Sequence, residues 1–358
     1  MHNHTLKVAL AGLLLITAYK LFFTNFNFVT HLGHEWEVLV NLFALLIGFA
    51  LLARHFEETR LPLVLPHYLP DDWKGGFVLL ALVFVLSSFL DNIAAAMIGG
   101  AIALTVFKGK VHIGYIAAIV AASNGGGSGS VLGDTTTTML WIAHISPGRV
   151  FPAYIGAVVS FFFYGIIASR QQHKFNPILK ESKQVVHIDW IRLAIVVAVL
   201  IAAVVTNVFL DFPAVGVWAA ILIGALLRQP DWKEAKHAVP GALFLLSLVL
   251  AASMMPVESL PAASWQTTFS LGFVSAVFDN IPLTKLAIEQ GGYDWGMLAY
   301  AVGFGGSMLW FGSSAGVAIT GIYPEAKSVG GWLKNGWHVI VAYLIGMAAI
   351  LLLNGWNP

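Results

Sequence analysis

The chain has 358 residues, of which 58% are hydrophobic and only 10% charged, with a mean hydropathy of +0.80. Soluble domains carry about 25% charged residues, so this composition excludes a soluble globular protein and marks an integral membrane protein. A net charge of +1 argues against a nucleic-acid partner, and the lack of Cys excludes disulfides, thiolate metal centres and thiol redox chemistry.

Long apolar runs without strict alternation point to membrane-spanning helices rather than a β-barrel. In chain order, hydropathy places full spans near 6–23, 36–53, 150–169, 189–210, 213–228, 241–256 and 337–353. The first has no clear cleavage site, contains Lys20 and reads as a retained span. The histidines at 2, 4, 31 and 34 read as terminal or loop residues.

Four further apolar segments are interrupted. Residues 75–107 break at Asp91-Asn92, and residues 269–288 break at Asp279-Asn280-Ile281-Pro282. Residues 113–145 are cut by Ser123-Asn124-Gly125-Gly126-Gly127-Ser128-Gly129-Ser130. Residues 296–322 are cut at Gly303-Phe304-Gly305-Gly306-Ser307 and Gly312-Ser313-Ser314.

Basic residues select the topology. If the two Asp-Asn segments are re-entrant hairpins, the Gly/Ser segments are broken spans and the N-terminus is cytoplasmic, the inner loops hold nearly every Lys and Arg outside the spans. These are Arg54, Arg60, Lys74, Lys108, Lys110, Arg170, Lys174, Lys180, Lys183, Arg228, Lys233, Lys236, Lys327 and Lys334, while the outer side keeps Arg149. That is a positive-inside pattern. The expected fold is an all-α polytopic membrane protein with about nine crossings plus two hairpins. The chain forms one transmembrane domain, 1–358, with inverted repeats 36–169 and 241–353 joined by helices within 189–228. Within the chain, Asp91 matches Asp279 at an offset of 188, while Ser128 and Gly133 match Ser307 and Gly312 at 179.

A carboxylate at membrane depth costs roughly 2.5–3.5 kcal/mol on insertion scales and marks a functional site by default. Broken helices at that depth expose backbone that the bilayer tolerates only where it lines a cavity. Asp, Asn, Ser and Thr oxygens are hard ligands suited to Na⁺ or Li⁺. One cluster is expected from Asp91, Asn92, Ser123, Asn124, Asp134 and Thr135–Thr138. Its counterpart is expected from Asp279, Asn280, Thr284, Ser307, Ser313 and Ser314. A proton and a cation can each neutralise such a carboxylate, so they compete for it. Asp91, Asp134 and Asp279 are assigned this role. The same Asp and Asn residues also suit helix capping, and the Thr run suits bonding back to its own helix. Lys285 reads either as an i,i+4 partner of Glu289 or as a counter-charge to a site Asp.

The segments Val274-Ser275-Ala276-Val277-Phe278-Asp279-Asn280-Ile281-Pro282, Gly305-Gly306-Ser307-Met308-Leu309 and Gly312-Ser313-Ser314-Ala315-Gly316-Val317-Ala318 resemble the ion transporter superfamily, most closely its NhaD-type sodium/proton antiporters. Asn124-Gly125-Gly126-Gly127 and Gly133-Asp134-Thr135-Thr136-Thr137-Thr138 carry the resemblance in the first half. It implies an inverted-repeat fold, an elevator-like motion, a homodimer and an inner-membrane location. The chain departs from the family pattern at Ala94, Ala95 and Ala96, which replace polar residues, and at Lys285, where apolar residues are usual.

These readings favour a secondary antiporter exchanging Na⁺ or Li⁺ for H⁺, with no cofactor beyond the transported ions. A permease for arsenite, citrate or dicarboxylates is the alternative within the superfamily. A membrane enzyme is disfavoured, since no zinc motif, Ser-Lys dyad or paired-Asp motif at helical spacing occurs.

Overall fold

The computed structural model describes residues 5–24, 26–64, 68–178, 187–210, 212–256 and 260–358. His2, His4, Lys180 and Lys183 therefore lie outside the described residues. Among those described, all regular structure is helical. Five stretches are long and apolar enough to cross a membrane: Leu6–Phe23, Phe28–Glu57, Pro147–Phe175, Trp190–Leu210 and Trp232–Ser253. The chain is thus a polytopic helical membrane protein.

In chain order, the N-terminal part comprises α1 (Thr5–Phe23), α2 (Phe28–Glu57) and α3 (Leu61–Val64). The first interrupted region follows as α4 (Trp73–Ser87), α5 (Asn92–Val106), α6 (Ile113–Gly127) and α7 (Thr135–Ile142). The middle of the chain holds α8 (Pro147–Val150), α9 (Ala153–Phe175), α10 (Trp190–Leu210), α11 (Pro213–Gly224) and α12 (Trp232–Ser253). The second interrupted region is α13 (Trp265–Ser275), α14 (Asn280–Gln290), α15 (Trp295–Gly305) and α16 (Ser314–Ile322), before α17 (Val329–Asn335) and α18 (Trp337–Leu353).

Two expected elements differ in extent. The loop expected before residue 36 is helical, because Asn27 caps α2 by accepting from the Val29 and Thr30 amides; His31 and His34 are therefore helical, not loop residues. Near 213–228, α11 has only 12 residues, or ~18 Å of rise, short of the ~30 Å hydrocarbon core. The C-terminal span keeps its expected bounds as α18, and α17 meets it at a 62° bend.

All four regions are interrupted, but α6 stays helical through Ser123–Gly127 and breaks only between Ser128 and Asp134, and α15 stays helical through Gly303–Gly305. The first Asp-Asn break runs from the end of α4 at Ser87 to Asn92, and the second from the end of α13 at Ser275 to Asn280. These arms have 15 or 11 residues, so each is too short to span alone. Helices α6 and α15 are buried along nearly their whole length, as befits helices that are apolar all round and sit at the centre of a bundle.

The two interrupted regions repeat the same contacts. Ser87 donates its hydroxyl to the Ser123 carbonyl, and 188 residues later Ser275 donates to the Val302 carbonyl. A Cβ at Gly126 would overlap the Phe84 carbonyl oxygen, and one at Gly305 would overlap that of Gly272. Only glycine allows the first arm of each hairpin to cross the central helix so closely. The first arms stay within their own region, α4 on α6 and α13 on α15, whereas the second arms cross over: α5 packs on α16, and α14 on α7. This exchange brings all four breaks together.

Candidate functional site

Each Asp of the Asp-Asn pairs is the N-cap of a second arm. Asp91 accepts from the Ile93 amide at 3.1 Å and Asp279 from the Ile281 amide at 3.0 Å, with nearly the same backbone angles. The capping reading of these residues is therefore correct as far as one carboxylate oxygen goes. Ser314 approaches the other oxygen of Asp279 at 3.5 Å.

Asp134 behaves differently. It occupies the N-cap position of α7, yet its side chain makes no capping bond. Its carboxylate faces the asparagines of both hairpins instead. Asn92 donates to Oδ1 at 3.1 Å, and Asn280 reaches Oδ1 and Oδ2 at 3.4 and 3.3 Å. Asn92 also donates to Asn124 at 3.0 Å, and Asn280 to the Thr136 hydroxyl at 2.8 Å. Asn124 extends the chain by donating to Ser307 at 2.9 Å and Ser313 at 3.0 Å. All these residues are buried. Buried polar groups need such partners, because an unmet donor or acceptor costs about 1–3 kcal/mol.

The two clusters expected from the sequence are thus one network. Asn92, Asn124, Asp134, Asn280, Ser307 and Ser313 meet in it, and Asp91 and Asp279 flank it, each one residue before its Asn. Three other sequence-assigned side chains turn to the backbone or stand apart. Ser123 donates to Val120 and Thr284 to Asn280, each within its own helix. Thr135 is buried in the first turn of α7 without a described side-chain bond to the network. Thr136 takes the network position instead. Thr137 and Thr138 brace the break by donating to the carbonyls of Ser130, Val131 and Asp134.

A cleft of about 340 Å³ between α2, α5 and α12 reaches this centre from one side. Asp91, Ile93, Ala94 and Met97 line it, as do Arg54, Glu57, Glu234 and His237. Lys285 keeps the expected bond to Glu289, at 2.7 Å, but is buried and also donates to both carboxylate oxygens of Glu35 at 3.0 and 2.8 Å. Sequence reasoning missed Glu35 by ending the extramembrane loop at residue 36. The available signal was an apolar arm carrying one Lys that needed more than a rim partner.

Crossed, interrupted helices of a polytopic membrane protein thus converge on a buried carboxylate. The family model described as citrate transporter (CitMHS) matches residues 4–305. The chain belongs to that family. It is also similar to sodium/proton antiporter 1 of Arabidopsis thaliana, at 26% identity over 78% of this chain and 55% of the relative. The Na⁺/H⁺ antiporter NhaD of Halomonas elongata is 24% identical over 76% of this chain and 66% of the relative. The corresponding protein of Vibrio parahaemolyticus is 24% identical over 78% and 79%. The chain spans less than two thirds of the length of the first two relatives.

Proposed function

We propose that the chain is a secondary antiporter that exchanges Na⁺ or Li⁺ for H⁺ across the inner membrane. The observation that carries this reading is the Asp134 carboxylate, which makes no capping bond and is presented to the amides of both hairpins. A carboxylate in that position takes either a proton or a hard cation, with Asn124, Ser307, Ser313 and Thr136 oxygens at hand. Asp91 and Asp279 stand at the two ends of the network as further exchange groups, each with one oxygen left over from capping. The bound ions are cargo, and the reading needs no cofactor and no enzymatic step.

The recurring contacts at offsets of 188 and 179 support inverted repeats 36–169 and 241–353. Two such halves, exchanging second arms, suit alternating access. The distribution of basic residues favours a cytoplasmic N-terminus, and the family resemblance favours a homodimer. The relatives named above are sodium/proton antiporters, in agreement with the cation.

Citrate or another carboxylate is the second reading, favoured by the family description and by four helix N-termini facing the breaks. An acidic centre whose hydrogen-bond partners include no Arg or Lys disfavours a bare anion. The test is collapse of a respiration-driven pH gradient in everted vesicles on adding Na⁺ or Li⁺. No response at any pH from mildly acidic to alkaline would remove the antiport reading, and a response to citrate alone would favour the second. Asp91→Asn and Asp279→Asn keep a competent cap, so loss of response in a protein that melts normally assigns the carboxylates to exchange.

A further inference from the structure

The internal correspondence at 188 residues pairs Ile93 with Ile281, Ala94 with Pro282 and Met97 with Lys285. In the first half, Ile93, Ala94 and Met97 line the cleft that reaches Asp91. In the second half, Ile281 and Lys285 share one face of α14 by their i,i+4 spacing, and that face is closed. Ile281 is 1% exposed, whereas Ile93 is half-buried. Helix α14 packs on α12 and α7, and the Lys285 side chain, at the position Met97 takes in the open cleft, is held by both oxygens of Glu35 from α2 and by Glu289 from its own helix.

We infer that the Glu35–Lys285–Glu289 cluster is a gate, closing beside Asp279 the counterpart of the route that is open beside Asp91. Helix α2 lines the open cleft with its C-terminal half, through Leu46 to Glu57, and supplies Glu35 from its N-terminal half. One rigid helix therefore touches both routes. A buried ammonium between two carboxylates is stable only while paired, since either partner left alone keeps an uncompensated charge. Opening the second route requires Lys285 to leave Glu35 and turn toward Glu289, which lies at the rim. That movement would join access beside Asp279 to a change at α2. The inference rests on the transport reading of the site, but its test reads accessibility and not transport.

The sequence contains no Cys, so single thiols report without background. Ile93→Cys and Ile281→Cys are introduced separately in the full chain and exposed to a membrane-impermeant maleimide. Ile93→Cys should label readily and Ile281→Cys about tenfold more slowly. Lys285→Met, which places the first-half residue in the second half, should release that protection, as should Lys285→Met with Glu35→Gln, which leaves no unpaired charge on α2. The exchanged pair Glu35→Lys with Lys285→Glu should restore it. The gate is overturned if Ile281→Cys labels as fast as Ile93→Cys in the parent, or stays protected in the Lys285→Met/Glu35→Gln background. It is equally overturned if the exchanged pair labels like Lys285→Met. If labelling follows expectation while no cation collapses the pH gradient, the gate stands and the proposed cargo falls.

Discussion

The two interrupted regions share a packing scheme but not a chemistry. In each, a serine of the first hairpin arm bonds to the central helix, a glycine permits the crossing, and an Asp caps the second arm. At the centre the match fails. The residue 179 positions after Asn124 is Gly303, and the residue 179 after Asp134 is Ser313. At these two positions the first half supplies an amide and a charge, and the second supplies a hydroxyl and room. Gly303 is itself part of that room, since a Cβ there would come within 3.1 Å of an Asp134 oxygen. Under the proposed function, shared packing suits two alternative arrangements, and the single central carboxylate would serve both.

The sharpest way to break this comparison is to neutralise the unequal position. Asp134→Asn should cut cation-driven collapse of the pH gradient by about 10- to 100-fold, the span of 1.5–3 kcal/mol for a hydrogen bond to a charged group. Ser313→Ala, at the matching position of the other half, should cost about tenfold or less in apparent cation affinity, because it removes a neutral bond to Asn124 together with the α16 cap on the Gly316 amide. Equal losses would mean that the halves are chemically equivalent after all.

A smaller effect tests the shared part. Gly126→Ala and Gly305→Ala each force a methyl against a carbonyl of the crossing arm. Each should destabilise the purified protein by about 1–3 kcal/mol, seen as similar losses in melting temperature. A marked inequality would show that the two crossings are not under the same constraint.

The smallest effect lies outside both regions. Asp189, just before α10, is bonded by the Arg228 guanidinium at 2.9 Å, which holds its carboxyl below the usual range. A carboxyl lowered on folding stabilises above its ordinary pKa of about 3.9 and loses that contribution as pH falls through the folded value. Asp189→Asn should therefore slightly lower the melting temperature at neutral pH and flatten its fall in the acid range. Cation-dependent activity should be unchanged, in contrast to Asp134→Asn.

The sequence by itself determined the membrane class, the four interruptions and most polar residues of the centre. Composition reports burial in lipid directly, and an Asp-Asn or Gly-rich break inside an apolar run is costly enough to stand out. It also held the offsets of 188 and 179, from which the repeated contacts could be located. Only the tertiary structure decided that two expected clusters are one, because that depends on the second arms crossing between halves. It alone decided which hydroxyls serve the centre: Thr135 and Thr136 are adjacent and alike in sequence, and helical register turns Thr136 toward Asn280. The partner of Lys285 was equally beyond reach of the sequence. Glu35 lies 250 residues away on another helix, and a long-range ion pair leaves no local pattern. Local cost marks where a helix breaks, and only packing in three dimensions fixes what each break meets.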